Sequence, residues 1–424
     1  MTDVATDAVT AVTAAARAAG AAAGPLANAP TAAIDLALRA MARRLTDSAQ
    51  VVLEANRADR AAAEAAGMSG GLLDRLRLDR DRLAAMADQL TGLADIEPEP
   101  TRHTIRELDG GLVLQEWQRP VGVIGANFEA RPNVAVDVAS QLIRSRNAGV
   151  LRTGSAAIGS AGALIDHVVA PSLAEAGLDP AAIALIRVAG HHSAVALVSQ
   201  PGLIPLVILR GSGDSTRSLA ERAALNGVRT LAHADGGAVI YLDAAADRTR
   251  AVDLIAASLD RLGVCNRLNL LLVHAGSWAD TVPAVTAALA ARQPPVAVSL
   301  PPHAHPLGYE WALDSAAEAT VTVAAAAGPA DAARIANEQT SGLAAAIVTE
   351  DPEAARVFLG AYSGTGAFWN ATPRLLDGYK LLGVPETGIN IDRTPGPRGP
   401  VTFRDLYLRQ YVVVPAAQAD RLDP

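Results

Sequence analysis

Val121-Gly122-Val123-Ile124-Gly125-Ala126-Asn127-Phe128-Glu129-Ala130-Arg131-Pro132-Asn133 decides how the rest of the chain is read. The apolar, β-branched opening, Val121 to Ile124, suits a buried strand, and a cluster of glycine and polar residues ends it. The same succession recurs downstream. Short apolar runs at Val150-Leu151, Ile183 to Val188, Leu206 to Leu209 and Val239 to Leu242 alternate with stretches of helical spacing. A second block, from about Ala251 to Thr349, carries Leu270 to Val273, Val296 to Val298 and Ala345 to Val348. Such alternation predicts βαβ units, an α/β fold whose parallel sheets are covered by helices.

Outside these blocks the pattern changes. From Ala5 to about Leu93 apolar residues fall three and four apart, as in Ile34, Leu38, Met41 and Leu45, which predicts long amphipathic helices. After the break at Pro98-Glu99-Pro100, Leu112 to Trp117 follows Asp109-Gly110-Gly111 as the second strand of a hairpin arm near 107–120. Tyr407 to Val414 reads as a strand far from its nearest unit, pairing either with that arm or with another subunit. The alanine excess at Thr10–Ala23 and Ala316–Ala333 reads as drift toward a helix-forming residue.

The chain has 424 residues, half of them apolar and 19% charged, enough for two or three well-buried domains. A net charge of −8 and 3% aromatic residues argue against nucleic acid as a partner. An acidic N-terminus and the lack of a long uncharged apolar stretch predict a soluble, cytoplasmic protein with no membrane partner. His191-His192, and His303 with His305 in a proline-rich turn, lack metal-ligand spacing, so no metal is expected.

In parallel sheets ligands bind beyond the carboxyl ends of strands. Three such places carry polar and glycine residues: Gly125 to Asn133, Arg152-Thr153-Gly154-Ser155, and Arg210-Gly211-Ser212-Gly213-Asp214. None matches a complete phosphate-binding fingerprint, yet Arg152 and Arg210 directly after apolar strands favour a phosphate-bearing cofactor. Gly154, Ser155 and Gly211 would allow its close approach. Cys265 is the only cysteine, within Leu262-Gly263-Val264-Cys265-Asn266-Arg267-Leu268. It is either a small buried hydrophobe or a nucleophile whose thiolate the neighbouring Arg267 would favour.

These residues carry a resemblance. Pro120-Val121-Gly122-Val123-Ile124-Gly125, Phe128-Glu129-Ala130-Arg131-Pro132-Asn133-Val134, Val264-Cys265-Asn266 and Asn370-Ala371 with Arg374 and Asp377-Gly378 resemble the γ-glutamyl phosphate reductase family, within the aldehyde dehydrogenase superfamily. The similarity runs over nearly the whole chain. It implies an aldehyde dehydrogenase-like fold: a Rossmann-like cofactor domain over 1–235, a catalytic domain over 236–370, and a return with an oligomerisation strand over 371–424. It implies NADPH-dependent reduction of L-glutamyl 5-phosphate to the semialdehyde and phosphate, the second step of proline synthesis. Cys265 matches the family's nucleophile, with Asn133 as a candidate oxyanion donor. Arg152, Gly154, Ser155, Arg210 and Gly211 are the cofactor candidates; Glu129, Arg131, Asn266, Asn370 and Arg374 are the substrate candidates. A homodimer or homotetramer, and functional coupling to a glutamate kinase, follow from the same likeness.

The sequence also departs from the family. Ala232 to Gly237, where hydrolytic relatives carry a base, has no glutamate, as suits an enzyme that preserves a thioester. Ser341-Gly342-Leu343-Ala344-Ala345 and Thr372-Pro373-Arg374-Leu375-Leu376 replace more polar family runs, and Leu382-Gly383-Val384-Pro385-Glu386-Thr387-Gly388 stands where the family usually has Leu-Gly-Ala-Glu-Ile-Gly. A different acyl phosphate or thioester is the alternative these changes raise, and an inactive assembly partner is the alternative outside enzymology.

Overall fold

The computed structural model describes residues 2–422 other than Ser69, Ala130, Ser212, Ala234, Ser315 and Pro395. Two compact units divide it: Met1–Ala232 with Val384–Gly388 and Val401–Pro424, and His233–Gly383 with Ile389–Pro400. Residues 371–383 stay with the second unit, beyond the return expected from sequence.

The first unit opens with α1 (Thr2–Ala27), α2 (Thr31–Asp47), α3 (Ala49–Ala65), α4 (Gly70–Leu76) and α5 (Arg80–Ala94). The predicted spacing puts Ile34, Leu38, Met41 and Leu45 on one fully buried face of α2, in a single core with Leu83, Met86 and Leu90 of α5. Each such side chain contributes about 1.5–3 kcal/mol by leaving water. Asp79 starts α5 by accepting from the Arg82 amide. Then come β1 (Arg102–Leu108), β2 (Leu112–Pro120), β3 (Val123–Phe128), α6 (Asn133–Arg144), β4 (Ala148–Thr153), β5 (Ile183–Ile186), β6 (Leu206–Arg210) and β7 (Arg229–His233). The last five strands form one sheet in the order β5-β4-β3-β6-β7, with β5, β4, β3 and β6 parallel. β7 was not expected, because Arg229-Thr230-Leu231-Ala232 has no continuous apolar run. The helical stretch Ser155–Glu175 is long and apolar enough to cross a membrane, yet its Leu164, Val168, Val169 and Leu173 are fully buried in the protein core.

The second unit holds β8 (Ala238–Leu242), β9 (Leu268–His274), β10 (Ala297–Ser299), β11 (Thr320–Ala326), β12 (Ala344–Val348) and β13 (Gly366–Trp369). They form a parallel sheet ordered β10-β11-β9-β8-β12-β13. β11 corrects the helical reading of the alanine-rich stretch. Thr320-Val321-Thr322-Val323 is β-branched and buried on both faces, so the sheet claims it; a helix starts only at Pro329.

Two short strands, β14 (Gly388–Asn390) and β15 (Gly399–Val401), precede β16 (Tyr407–Pro415). β16 lies antiparallel on β2, with Tyr411 opposite Glu116 and Val413 opposite Leu114. The distant strand therefore pairs with the hairpin of its own chain, giving a three-stranded arm β1-β2-β16. Gly110 and Gly111, at φ 77° and 73°, make the hairpin turn, a conformation few other residues accept.

Candidate active site

In the first unit, pairing of β3 with β4 and β6 aligns Phe128 with Thr153 and with Arg210. The residues that follow therefore emerge along one carboxyl edge: Glu129, then Gly154 and Ser155, then Gly211. Arg152, 8% exposed, clamps this edge from within. Its Nη1 donates to Asn127 Oδ1 at 3.1 Å, its Nη2 to the Gly190 carbonyl at 2.8 Å and its Nε to Ser193 Oγ at 3.2 Å. Burial lowers its pKa and the charge of Glu129 opposes that shift. Gly154 donates its amide to the Phe128 carbonyl at 3.0 Å, and Ser155 opens a single 3₁₀ turn. Arg210 is held by the Thr387 carbonyl at 3.1 Å and lies 3.8 Å from Glu386. At Gly211 a Cβ would lie 2.9 Å from Glu129 Oε1, so glycine lets that carboxylate approach the turn before the helix Gly213–Leu225. Ser212 and Ala130, within the quoted clusters, lie outside the described residues. Arg131 precedes α6, its carbonyl accepting from the Val134 amide. Asn133 begins α6 and donates Nδ2 to Asp137 Oδ2 at 2.9 Å. Two guanidinium groups beside small residues at strand ends fit the anionic phosphates of a dinucleotide in donor type.

In the second unit, Cys265 occupies a half-buried turn between the helix Arg248–Ala257 and β9. The chain crosses its backbone at Gly236-Gly237. Gly237 donates its amide to the Cys265 carbonyl at 2.6 Å. A Cβ on Gly236 would lie 2.8 Å from that carbonyl oxygen and 2.9 Å from Cys265 Cα. Glu310 closes the other side, its Oε2 accepting from the Gly236 amide at 2.7 Å. A glutamate missing from 232–237 in sequence thus arrives from a distant loop. No periodicity or spacing marks Glu310 in the sequence.

The residues after Cys265 brace the turn. Asn266, 5% exposed, donates to the Leu376 carbonyl at 2.9 Å and accepts from Arg374 Nη1. Arg374 also grips Asp260, Nε to Oδ1 at 2.6 Å. Burial pushes the Asp260 pKa up, but the Arg374 hydrogen bond and charge bring it below the usual value. Arg267, expected as the cation favouring the thiolate, is fully buried with its donors on the carbonyls of Leu268, Glu318 and Thr320. Desolvation lowers its pKa to about 10, with Glu318 and Glu310 opposing. Its charge is committed to the edge of the sheet at β11. Asn370, in the left-handed region at φ 49°, is fastened elsewhere: its amide accepts from Thr349 N at 3.0 Å and donates to Thr349 O at 2.9 Å. The structure therefore joins Cys265, Asn266 and Arg374 through one braced turn, and ties Asn370 to the end of β12.

Two parallel sheets covered by helices, one carrying arginine and glycine residues at its strand ends and the other entered by the Cys265 turn, are an aldehyde dehydrogenase-like architecture. Residues 1–296 match the aldehyde dehydrogenase family, and the chain belongs to that family. Within it the chain is similar to γ-glutamyl phosphate reductases. The one from Clavibacter michiganensis is 35% identical over 402 residues, covering 92% of this chain and 90% of its own. That of Prochlorococcus marinus is 34% identical over 391 residues, 88% and 85% of the two chains. The crystal structure of the Thermotoga maritima γ-glutamyl phosphate reductase superposes with a TM-score of 0.85 at 25% identity, covering 95% of this chain and 98% of that one. An acetylating aldehyde dehydrogenase from Geobacillus thermoglucosidasius, at 15% identity and TM-score 0.71, shares the fold. Family membership implies a nicotinamide cofactor.

Proposed function

We propose that this protein reduces L-glutamyl 5-phosphate to L-glutamate 5-semialdehyde with release of phosphate, using NADPH, as the second step of proline synthesis in the cytosol. The observation that carries this reading is the likeness to γ-glutamyl phosphate reductases, at 35% identity over 92% of the chain. The chemistry of the Cys265 turn supports it. The Cys265 thiolate attacks the acyl carbonyl, the carbon–oxygen bond to phosphate breaks, and a thioester remains on sulfur. A nicotinamide cofactor, when bound, would supply hydride to that thioester carbonyl. The resulting alkoxide collapses, the carbon–sulfur bond breaks, and the aldehyde leaves with the thiolate restored.

Each tetrahedral species carries an oxyanion that needs fixed donors. The Cys265 backbone amide is the first we assign. Asn133 is the side-chain donor proposed with it, since Asp137 engages only one of the two N–H bonds of its amide. The Asp260–Arg374–Asn266 chain is assigned to holding the nucleophile's turn, with Glu129 and Arg131 left for substrate orientation. Arg152, Gly154, Ser155, Arg210 and Gly211 are assigned to the cofactor's phosphates.

The departures from the family bear on substrate. Leu343, Ala344, Ala345 and Leu376 are all at or below 1% exposure. They fill the core around β12, so their loss of polarity reflects packing rather than a changed recognition surface, and glutamyl phosphate remains the preferred substrate over another acyl phosphate or thioester. Oxidation of a panel of aldehydes with NADP and phosphate tests this directly. Turnover of glutamate semialdehyde, abolished in Cys265→Ser, is the expected result. Failure of that aldehyde alongside turnover of another sinks the proline assignment, and undiminished activity of Cys265→Ser sinks the thiol mechanism.

A further inference from the structure

We propose that a pocket at the root of the arm binds a small oxyanion, a phosphate or carboxylate group, through Arg146. The start of α2, the linker after α5, the turn after α6 and the start of β16 meet around a cavity of about 50 Å³. A single water needs about 10–15 Å³ by such a measure, so the cavity admits a group of several heavy atoms and excludes a nucleotide.

Charge at this pocket is unbalanced. Three arginines line it, Arg144, Arg146 and Arg404, with Glu99. Arg144, 6% exposed, is neutralised by Asp35 at 2.6 Å and donates to the Ile96 carbonyl. Arg404 pairs with Glu99 at 2.5 Å. Arg146 has no carboxylate partner among the described residues: its Nε donates to the Ala29 carbonyl at 3.1 Å and its Nη2 to Thr31 Oγ1 at 3.0 Å. Two neutral acceptors thus fix the guanidinium while leaving its charge unanswered and its Nη1 without a protein acceptor among those residues. Tyr407, also lining the pocket, has its pKa raised by burial, which keeps the phenol a hydrogen-bond donor.

The backbone at Arg146 points the same way. It sits at φ 57° just beyond α6, and the Asn147 amide closes the turn on the Leu142 carbonyl at 2.8 Å. Glycine is the residue that suits this left-handed helix stop. Folding gains from arginine only the two neutral bonds to Ala29 and Thr31, which leave its charge unanswered, whereas a planar fork of donors in a positive pocket suits an oxyanion.

Arg146→Gly separates binding from folding, because relief of the positive φ offsets the lost bonds to Ala29 and Thr31, and the variant is expected to stay folded with a melting temperature close to the parent's. Arg146→Asn, which also tolerates this conformation, is the second variant. Crystals soaked in selenate should show an anomalous peak within hydrogen-bond reach of Arg146 in the parent and none in either variant. Calorimetric titration with inorganic phosphate and, separately, acetate names the source: heat with phosphate alone assigns a phosphate group, and heat with acetate too assigns carboxylates. In both variants the responding affinity should fall by about tenfold or more, as for a lost charge-assisted hydrogen bond. A selenate peak confined to other sites, or unchanged affinity for both anions in a folded Arg146→Gly protein, overturns the proposal.

Discussion

A methyl group added at Gly236 would press on the Cys265 backbone at 2.8 and 2.9 Å, closer than a carbon atom can approach main chain. Unlike the end of a side chain, that backbone cannot swing aside, so the nucleophile's turn must move. Displacement of about 1 Å at a reacting atom costs about a hundredfold in rate, and Gly236→Ala should lose at least that much in kcat while binding cofactor normally. A variant within twofold of the parent would show that this crossing does not position the thiol. The Arg374–Asp260 pair makes a separate prediction. Burial raises the Asp260 pKa, and Arg374 more than reverses this, so the folded-state value is depressed. The pair's contribution to stability is therefore present above the unfolded carboxylate pKa of about 3.9 and is lost as pH falls through the lower folded value. Melting temperatures measured through that acid range should fall less steeply in Arg374→Met than in the parent. Equal slopes would show that the pair is screened, as the 48% exposure of Asp260 permits. The residues around Cys265 left it open between buried hydrophobe and nucleophile, and its proposed role comes from the resemblance. Glu310 was not legible, since its hydrogen bond to the Gly236 amide arises only when the loop before β11 folds back on that glycine.

At the scale of elements, most strands could be read directly, because β3, β4, β6, β8, β9 and β12 are continuous apolar runs covered on both faces. β11 escaped because alanine is the strongest helix former, and its Thr-Val-Thr-Val start acquires meaning only between β9 and β10. The partner of β16 was ambiguous for a related reason: an antiparallel register across nearly three hundred residues leaves no local trace. The arm it completes keeps an apolar surface, with Leu408, Tyr411 and Val413 at 54%, 59% and 52% exposure. Large apolar side chains clustered on one exposed sheet mark an interaction surface, and we propose that it is the contact between copies of this chain. Val413→Lys should leave the monomer folded, since the residue is exposed, but lower the sedimentation coefficient toward that of a single chain. Unchanged sedimentation would place the subunit contact elsewhere.

Across the whole molecule, the fate of the acyl group depends on which nucleophile reaches the thioester. A hydrolytic aldehyde dehydrogenase sends water, activated by a carboxylate; a phosphorylating one must exclude it and admit phosphate. The described residues of 232–237 contain no glutamate, yet the fold brings Glu310 to Gly236. That carboxylate already accepts the Gly236 amide at 2.7 Å, which commits one of its oxygens to the loop that crosses the Cys265 backbone. Glu310 is thereby suited to fixing the loop over Cys265 rather than to drawing a proton from water. Oxidation of the aldehyde with NADP should accordingly require phosphate, with the rate falling about a hundredfold or more when phosphate is withheld, as expected when a general base is absent. Glu310→Gln, which keeps a hydrogen-bond acceptor for Gly236, should retain that requirement and most of the phosphate-dependent rate. Sustained phosphate-free turnover in the parent that disappears in Glu310→Gln would instead make Glu310 the hydrolytic base, and the enzyme a dehydrogenase that releases free acid.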